Sequence, residues 1–209
     1  MTDLAVLQKL QTWLSPSFPV GAFSWSHGLE TAMADGRVDS AGALEDWVRA
    51  VLEHGSGWTD AVLMAHTMKG EDVAELAEAL APTRERHAET MEQGAAFART
   101  VNAVEGWHIA TSPYPIAFAD AARRLGADPA TAITLHLQAF AANLISAGVR
   151  LIPLGQTEGQ RITTALHAAC ADLTRRALDA PLDAIGGAGI LSDIAAMRHE
   201  TLATRVFRS

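Results

Sequence analysis

One cysteine, Cys170, is all the chain has among 209 residues, so no disulfide can form within it. That usage fits a reducing compartment, and no covalent staple holds the fold. Basic residues are also short: 16 Lys and Arg stand against 24 Asp and Glu, for a formal net charge of −8. A net-acidic chain is a poor ligand for nucleic acid unless its few basic residues cluster, and the same sign opposes docking on anionic lipid. The opening residues, MTDLAVLQKLQTWL, lack a basic segment and cleavage site, which excludes a signal peptide from the reading. No stretch reaches about 18 uninterrupted apolar residues, the length that suggests a membrane span. The expectation is a cytoplasmic protein with neither a nucleic-acid nor a membrane partner.

Strand patterns are scarce as well. Alternating β-branched runs are rare, and alanine is abundant in most segments. What is there reads as helix nearly throughout. Leu44, Val48, Val51 and Leu52 form an apolar stripe over 41–54, and Asp128-Pro129 starts a helix that is apolar almost all round to Ala147, the signature of a central element. A helix is predicted from Ser24, as N-cap, to Ala34. A long one is predicted over 83–108, with Met91, Ala95, Ala98, Val101 and Glu105 on one face, the small-residue seam that packs. Another runs from a Thr157 cap, boxed by Gln160, to Asp179. With 49% hydrophobic and 19% charged residues and no linker or repeat, the economical answer is one all-α domain over 1–209, a bundle of about eight to ten helices.

Several chemistries each lack a required residue. Gly186-Gly187-Ala188-Gly189 runs into Ile190 and Leu191 without the lysine a P-loop needs. His199-Glu200 starts a zincin pattern, but Ala203 stands where the second histidine belongs. Glu105-Gly106-Trp107-His108 supplies one Glu-x-x-His pair, and a four-helix di-iron site needs two. Cys170 lies among alanines and reads as a small buried thiol. The eight histidines are scattered; His136, within the apolar helix, reads as a hydrogen-bonded core residue or the lining of a polar channel. No catalytic residue, cofactor or metal-ligand set is assigned.

Three stretches carry a resemblance. Ser15-Pro16-Ser17-Phe18-Pro19-Val20-Gly21-Ala22-Phe23-Ser24-Trp25-Ser26-His27-Gly28-Leu29-Glu30 is similar to SPxxPxGxFxxSxGLE. Pro153-Leu154-Gly155-Gln156-Thr157-Glu158-Gly159-Gln160 is similar to PLGQxxGQ. Asp193-Ile194-Ala195-Ala196-Met197-Arg198-His199-Glu200-Thr201, with Thr204-Arg205-Val206-Phe207-Arg208-Ser209, is similar to DIAxMxHE…TRLFxS. These patterns belong to the UreF family of urease accessory proteins, and their order spans the chain. The resemblance implies a helical, non-enzymatic, dimer-forming protein that binds UreD (UreH), recruits the GTPase UreG and helps load nickel into the urease apoprotein. A GTPase-activating regulator of UreG and a direct nickel carrier are the alternatives. The family's usual tyrosine in the first stretch is Trp25 here, an indole N–H in place of a hydroxyl.

The resemblance also implies where partners bind. A tail over about 192–209, ordering on a partner, would present Arg198, His199, Glu200, Thr201, Arg205, Phe207 and Arg208, with Phe207 as anchor and the arginines pairing carboxylates. Phe18, Phe23 and Trp25 are candidate interface anchors, since aromatics are enriched at binding hot spots. Gln156 and Gln160 are candidates to line a polar passage between protomers or toward UreD.

Overall fold

The structure is a computed structural model that describes residues 3–186 and 189–208. Asp3 caps α1 (Leu4–Trp13) by accepting from the Ala5 N–H. A 3-10 turn, Ala22–Ser24, precedes α2 (Leu29–Ala34). Ser40 caps α3 (Ala41–His54), and α4 (Ser56–Met68) and α5 (Ala74–Ala79) follow. Thr83 caps α6 (Arg84–Glu105), which ends at Gly106 with φ 69°. Then come α7 (Tyr114–Arg124), α8 (Pro129–Leu151) under its Asp128 cap, α9 (Gln156–Ala165) and α10 (His167–Asp179). A second 3-10 turn, Leu182–Ala184, leads to α11 (Ile190–His199). Every regular element among the described residues is helical, and all the α-helices but α2 and α5 are ten residues or longer, as the all-α bundle requires.

The core is organised around α8, which packs on α2, α3, α4, α7, α9 and α10. By length and hydropathy α8 could cross a bilayer, but half of its apolar window is buried among these helices. Helices α6 and α7 approach closely because Gly94 has no side chain: a Cβ there would lie 1.9 Å from the Ser112 carbonyl oxygen.

Four local expectations are corrected. Ser24 caps no helix; its hydroxyl donates to the Gly21 carbonyl, and α2 starts only at Leu29 because His27 and Gly28 both take positive φ. The helix expected from Thr157 to Asp179 is two helices, interrupted at Leu166 just after Thr163 and Thr164 turn their hydroxyls back to the carbonyls of Gly159 and Gln160; such back-bonding bends helices. The α9 cap is Gly155, whose N–H donates to Glu158, so neither Thr157 nor Gln160 serves the capping box. The packed face of α6 is rotated: Ala98 and Val101 are buried as expected, but Glu89, Gln93 and Phe97 take the places given to Met91 and Ala95.

Candidate functional site

The first and third stretches fold onto each other across 169 residues of sequence. His27 (φ 55°) and Gly28 (φ 74°) turn the chain into α2. The bend sets Gly28 beneath α11, where a Cβ would stand 2.5 Å from the Ala196 nitrogen. Two residues on, Glu30 is buried, and its carboxylate accepts from the backbone N–H groups of Val206 (2.7 Å) and Phe207 (2.9 Å). His199, fully buried, bridges α2 and α6: its Nε2 is 3.1 Å from Glu30 and its Nδ1 is 2.8 Å from Glu85. Arg198 forks onto Asp35, Arg205 donates to Glu85, and Arg208 forks onto Glu92 while its guanidinium lies 4.2 Å over the Trp25 ring. Bidentate pairs of this kind fix geometry as well as charge.

Beside this clasp lies a cleft of about 260 Å³. Trp13, Phe18, Tyr114 and Phe140 wall it, Phe23 stands at its mouth, and Asp60, Glu89, Gln93 and His136 reach its polar side. A smaller recess of about 160 Å³ shares His27, Asp60, Arg86 and Thr90 with it, so these residues form a polar partition. Within the partition Arg86 pairs with Glu89, and His27 Nε2 is 2.9 Å from the same carboxylate. Burial alone would raise the Glu89 carboxyl, but Arg86 and His27 together hold it down at about 2. Burial lowers the His136 imidazole to about 4, so the ring is neutral, and its Nδ1 has no hydrogen-bond partner.

Asp60 goes the other way. Burial, with the Glu89 charge adding and Arg86 opposing, pushes its carboxyl up to about 7. A raised carboxyl contributes most to stability below about pH 4, where it is protonated in both states, and that contribution is lost as pH rises through about 7. Asp60→Asn is therefore expected to be more stable than the unaltered chain at pH 8, by on the order of 1–3 kcal/mol, discounted because the residue is only half-buried. Urea midpoints measured at pH 8 and pH 4 should differ between the two proteins only at the higher pH.

The residues expected at partner surfaces separate into two sets. His199, Phe207 and Trp25 are buried within the chain, and the segment 190–208 is already packed on α2 and α6; Ser209 lies outside the described residues, as do Gly187 and Ala188. Arg198, Arg205, Arg208 and Thr201 are exposed, and Glu200 is half-buried with Arg84. Phe18 is half-buried against Phe97, whereas Phe23 is 60% exposed. Gln156 and Gln160 are exposed on α9, and neither lines the cleft or the recess. Sequence reasoning gave no role to Glu30, Glu85, Asp60, Arg86, Glu89 or Gln93. For Glu89 and Gln93 a signal existed: they sit four residues apart in line with Phe97, on the apolar side of α6.

The outer side of α11 is what the clasp leaves uncovered. Ile190, Leu191, Ile194 and Met197 are between 46% and 62% exposed on this one short helix.

The UreF family model matches residues 38–167. Over 206 residues the chain is 50% identical to the urease accessory protein UreF of Cereibacter sphaeroides, covering 97% of this chain and 98% of that one. It is 46% identical over 231 residues to the protein of the same name from Rhodopseudomonas palustris, with 98% and 94% covered. With that of Dinoroseobacter shibae it shares 44% identity over 209 residues, covering 99% and 100%. On this likeness along nearly its whole length, the chain belongs to the UreF family.

Proposed function

We propose that this chain acts in urease maturation as a non-enzymatic scaffold, a homodimer in the cytoplasm that joins UreD (UreH) and recruits the GTPase UreG for nickel insertion into the urease apoprotein. Its relatives bear the name urease accessory protein, which supports the role in maturation. The observation that carries the scaffold reading is the apolar face of α11. Ile190, Ile194 and Met197 follow the spacing of a helix that lies in a partner's groove. Arg198 is exposed on the same helix, Arg205 and Arg208 are exposed on the segment that follows it, and an apolar centre with a polar rim is the ordinary anatomy of a protein interface. Contiguous exposed apolar surface marks such sites.

Ile194→Asp tests this with little risk to the fold, because the side chain already faces outward. Capture of UreD by the variant is expected to fall at least about tenfold, equivalent to about 1.4 kcal/mol. Undiminished capture would remove α11 as the docking element. Deleting the segment from Arg198 onward is a poorer test, since it also strips His199 and Phe207 from the interior.

The GTPase-activating alternative needs an arginine at the UreG nucleotide. Arg198, Arg205 and Arg208 are each paired with a carboxylate of their own chain, and insertion would first have to release one. GTP hydrolysis by UreG is expected to change less than about twofold when this chain and UreD are added, whereas an inserted arginine accelerates such reactions by about 10³–10⁵. For direct nickel carriage, no group of three or more His, Cys, Asp or Glu side chains among the described residues is placed to hold a metal.

A further inference from the structure

We infer that the cleft between segment 15–24, α6 and α8 receives an arginine side chain of a partner protein, whose guanidinium meets Asp60 while its stem lies along the aromatic walls. The inference rests on the scaffold function proposed above and adds to it a second contact, away from α11.

The polar side of the cleft is built for a ligand with donors. His136 is buried, lines the cleft and leaves its Nδ1 unpaired; buried polar atoms almost always have a partner, and one without asks what fills the place. Gln93 and Asn143, which also line it, each spend one amide N–H within the chain, on Glu89 (3.0 Å) and on the Ala22 carbonyl (2.7 Å), while their side-chain carbonyl oxygens accept no hydrogen bond among the described residues and stay open to a donor. No hydrogen bond reaches the Asp60 carboxylate among the described residues. The ion pairs agree with the hydrogen bonds: Arg86 pairs with Glu89, the Asp60 carboxyl has no ion pair of its own among the described residues, and an arriving cation would favour its ionised form.

Arginine suits this set better than lysine. Its five donors match several acceptors at once, its planar head stacks on rings such as Tyr114 and Phe140, and it gives up its water more readily than an ammonium. The mouth of the cleft favours a protein over a free small molecule. Phe23 lines the cleft yet is 60% exposed, a surface that only something larger than the inserted group would cover. Retaining Asp60 in a place where ionisation opposes folding is the behaviour of a binding group, since functional sites are where stability is sacrificed.

The sequence contains one tyrosine, Tyr114, so its ring resonance reports on the cleft wall without ambiguity. N-acetyl-arginine methylamide is expected to shift that resonance saturably, and N-acetyl-citrulline methylamide, the neutral isostere, to bind at least about tenfold more weakly. Asp60→Asn should erase the preference and Asp60→Glu should keep it; the asparagine variant, predicted to be the more stable protein at pH 8, does not confuse binding with unfolding. In the second arm, Asp60→Asn and Phe23→Ser should each lower co-purification with UreD or UreG at least about tenfold. Equal binding of the two probes, or undiminished capture by Asp60→Asn, overturns the inference. If Asp60→Asn instead dissociates the homodimer in sedimentation while capture is unchanged, the occupant is a second copy and the inference also fails. The outcome with Ile194→Asp judges the scaffold function separately, because α11 does not line this cleft.

Discussion

Glu30→Gln is expected to loosen the C-terminal segment and to cost the fold about 3–5 kcal/mol, because several hydrogen bonds to one buried carboxylate, worth about 1.5–3 kcal/mol each, are weakened or lost together. Glu30 is surrounded by donors: two backbone N–H groups at 2.7 and 2.9 Å and the His199 ring at 3.1 Å. A glutamine of the same shape keeps one acceptor and points an NH₂ group at donors, so no cavity accompanies the change and the loss is almost purely polar. Urea unfolding measures the total. Native-state hydrogen exchange at the Val206 and Phe207 amides measures the part that belongs to the clasp, and it should accelerate by at least about 100-fold. Unchanged protection at those two amides would mean that Glu30 does not hold the segment.

Gly28→Ala should be comparably damaging, at about 2–5 kcal/mol, for two separable reasons. Its φ of 74° costs a side chain about 1 kcal/mol or more. Its Cβ would stand 2.5 Å from the Ala196 backbone nitrogen and 2.8 Å from the Ala195 carbonyl carbon, neither of which can move without α11. Gly36 provides the control. Its φ is 70° and nothing lies within 4 Å of a Cβ there, so Gly36→Ala carries the backbone cost alone. The difference between the two variants in thermal unfolding isolates the α2–α11 contact. Gly28→Ala should also weaken UreD capture, since it displaces the helix whose outer face is proposed to dock. Equal stability of the two variants would show that α11 gives way freely.

The helices were legible where one physical signal dominated. Leu44, Val48, Val51 and Leu52 are all buried on an α3 that runs Ala41–His54, as their spacing predicts, and the apolar run after Pro129 is indeed the central helix. Legibility failed where a second influence overrode periodicity. Nothing in Ser24-Trp25-Ser26-His27 announces that a histidine will take a left-handed conformation, and on that the start of α2 depends. On α6 a stripe chosen by hydrophobicity passes over Glu89 and Gln93, because their burial depends on Arg86 and His27 rather than on their own character. The clasp was the least accessible. Glu30, Glu85 and His199 carry no local mark of their roles, and each acquires one only when distant segments meet. The resemblance located the stretches that matter, yet it did not reveal that two of them bind each other.

The separation between Glu30 and Phe207 has a consequence during synthesis. They are 177 residues apart. At elongation rates of about 5–20 residues per second, roughly 9–35 seconds pass between the making of the acceptor and the making of its last donor. Throughout that interval the glutamate and the glycine seat beside it stay unfilled, and by its end α3 to α10 have been made and can pack. The nascent protein therefore passes through an open form that no finished copy needs to revisit, and a partner engaging the chain before release would meet that form rather than the clasped one.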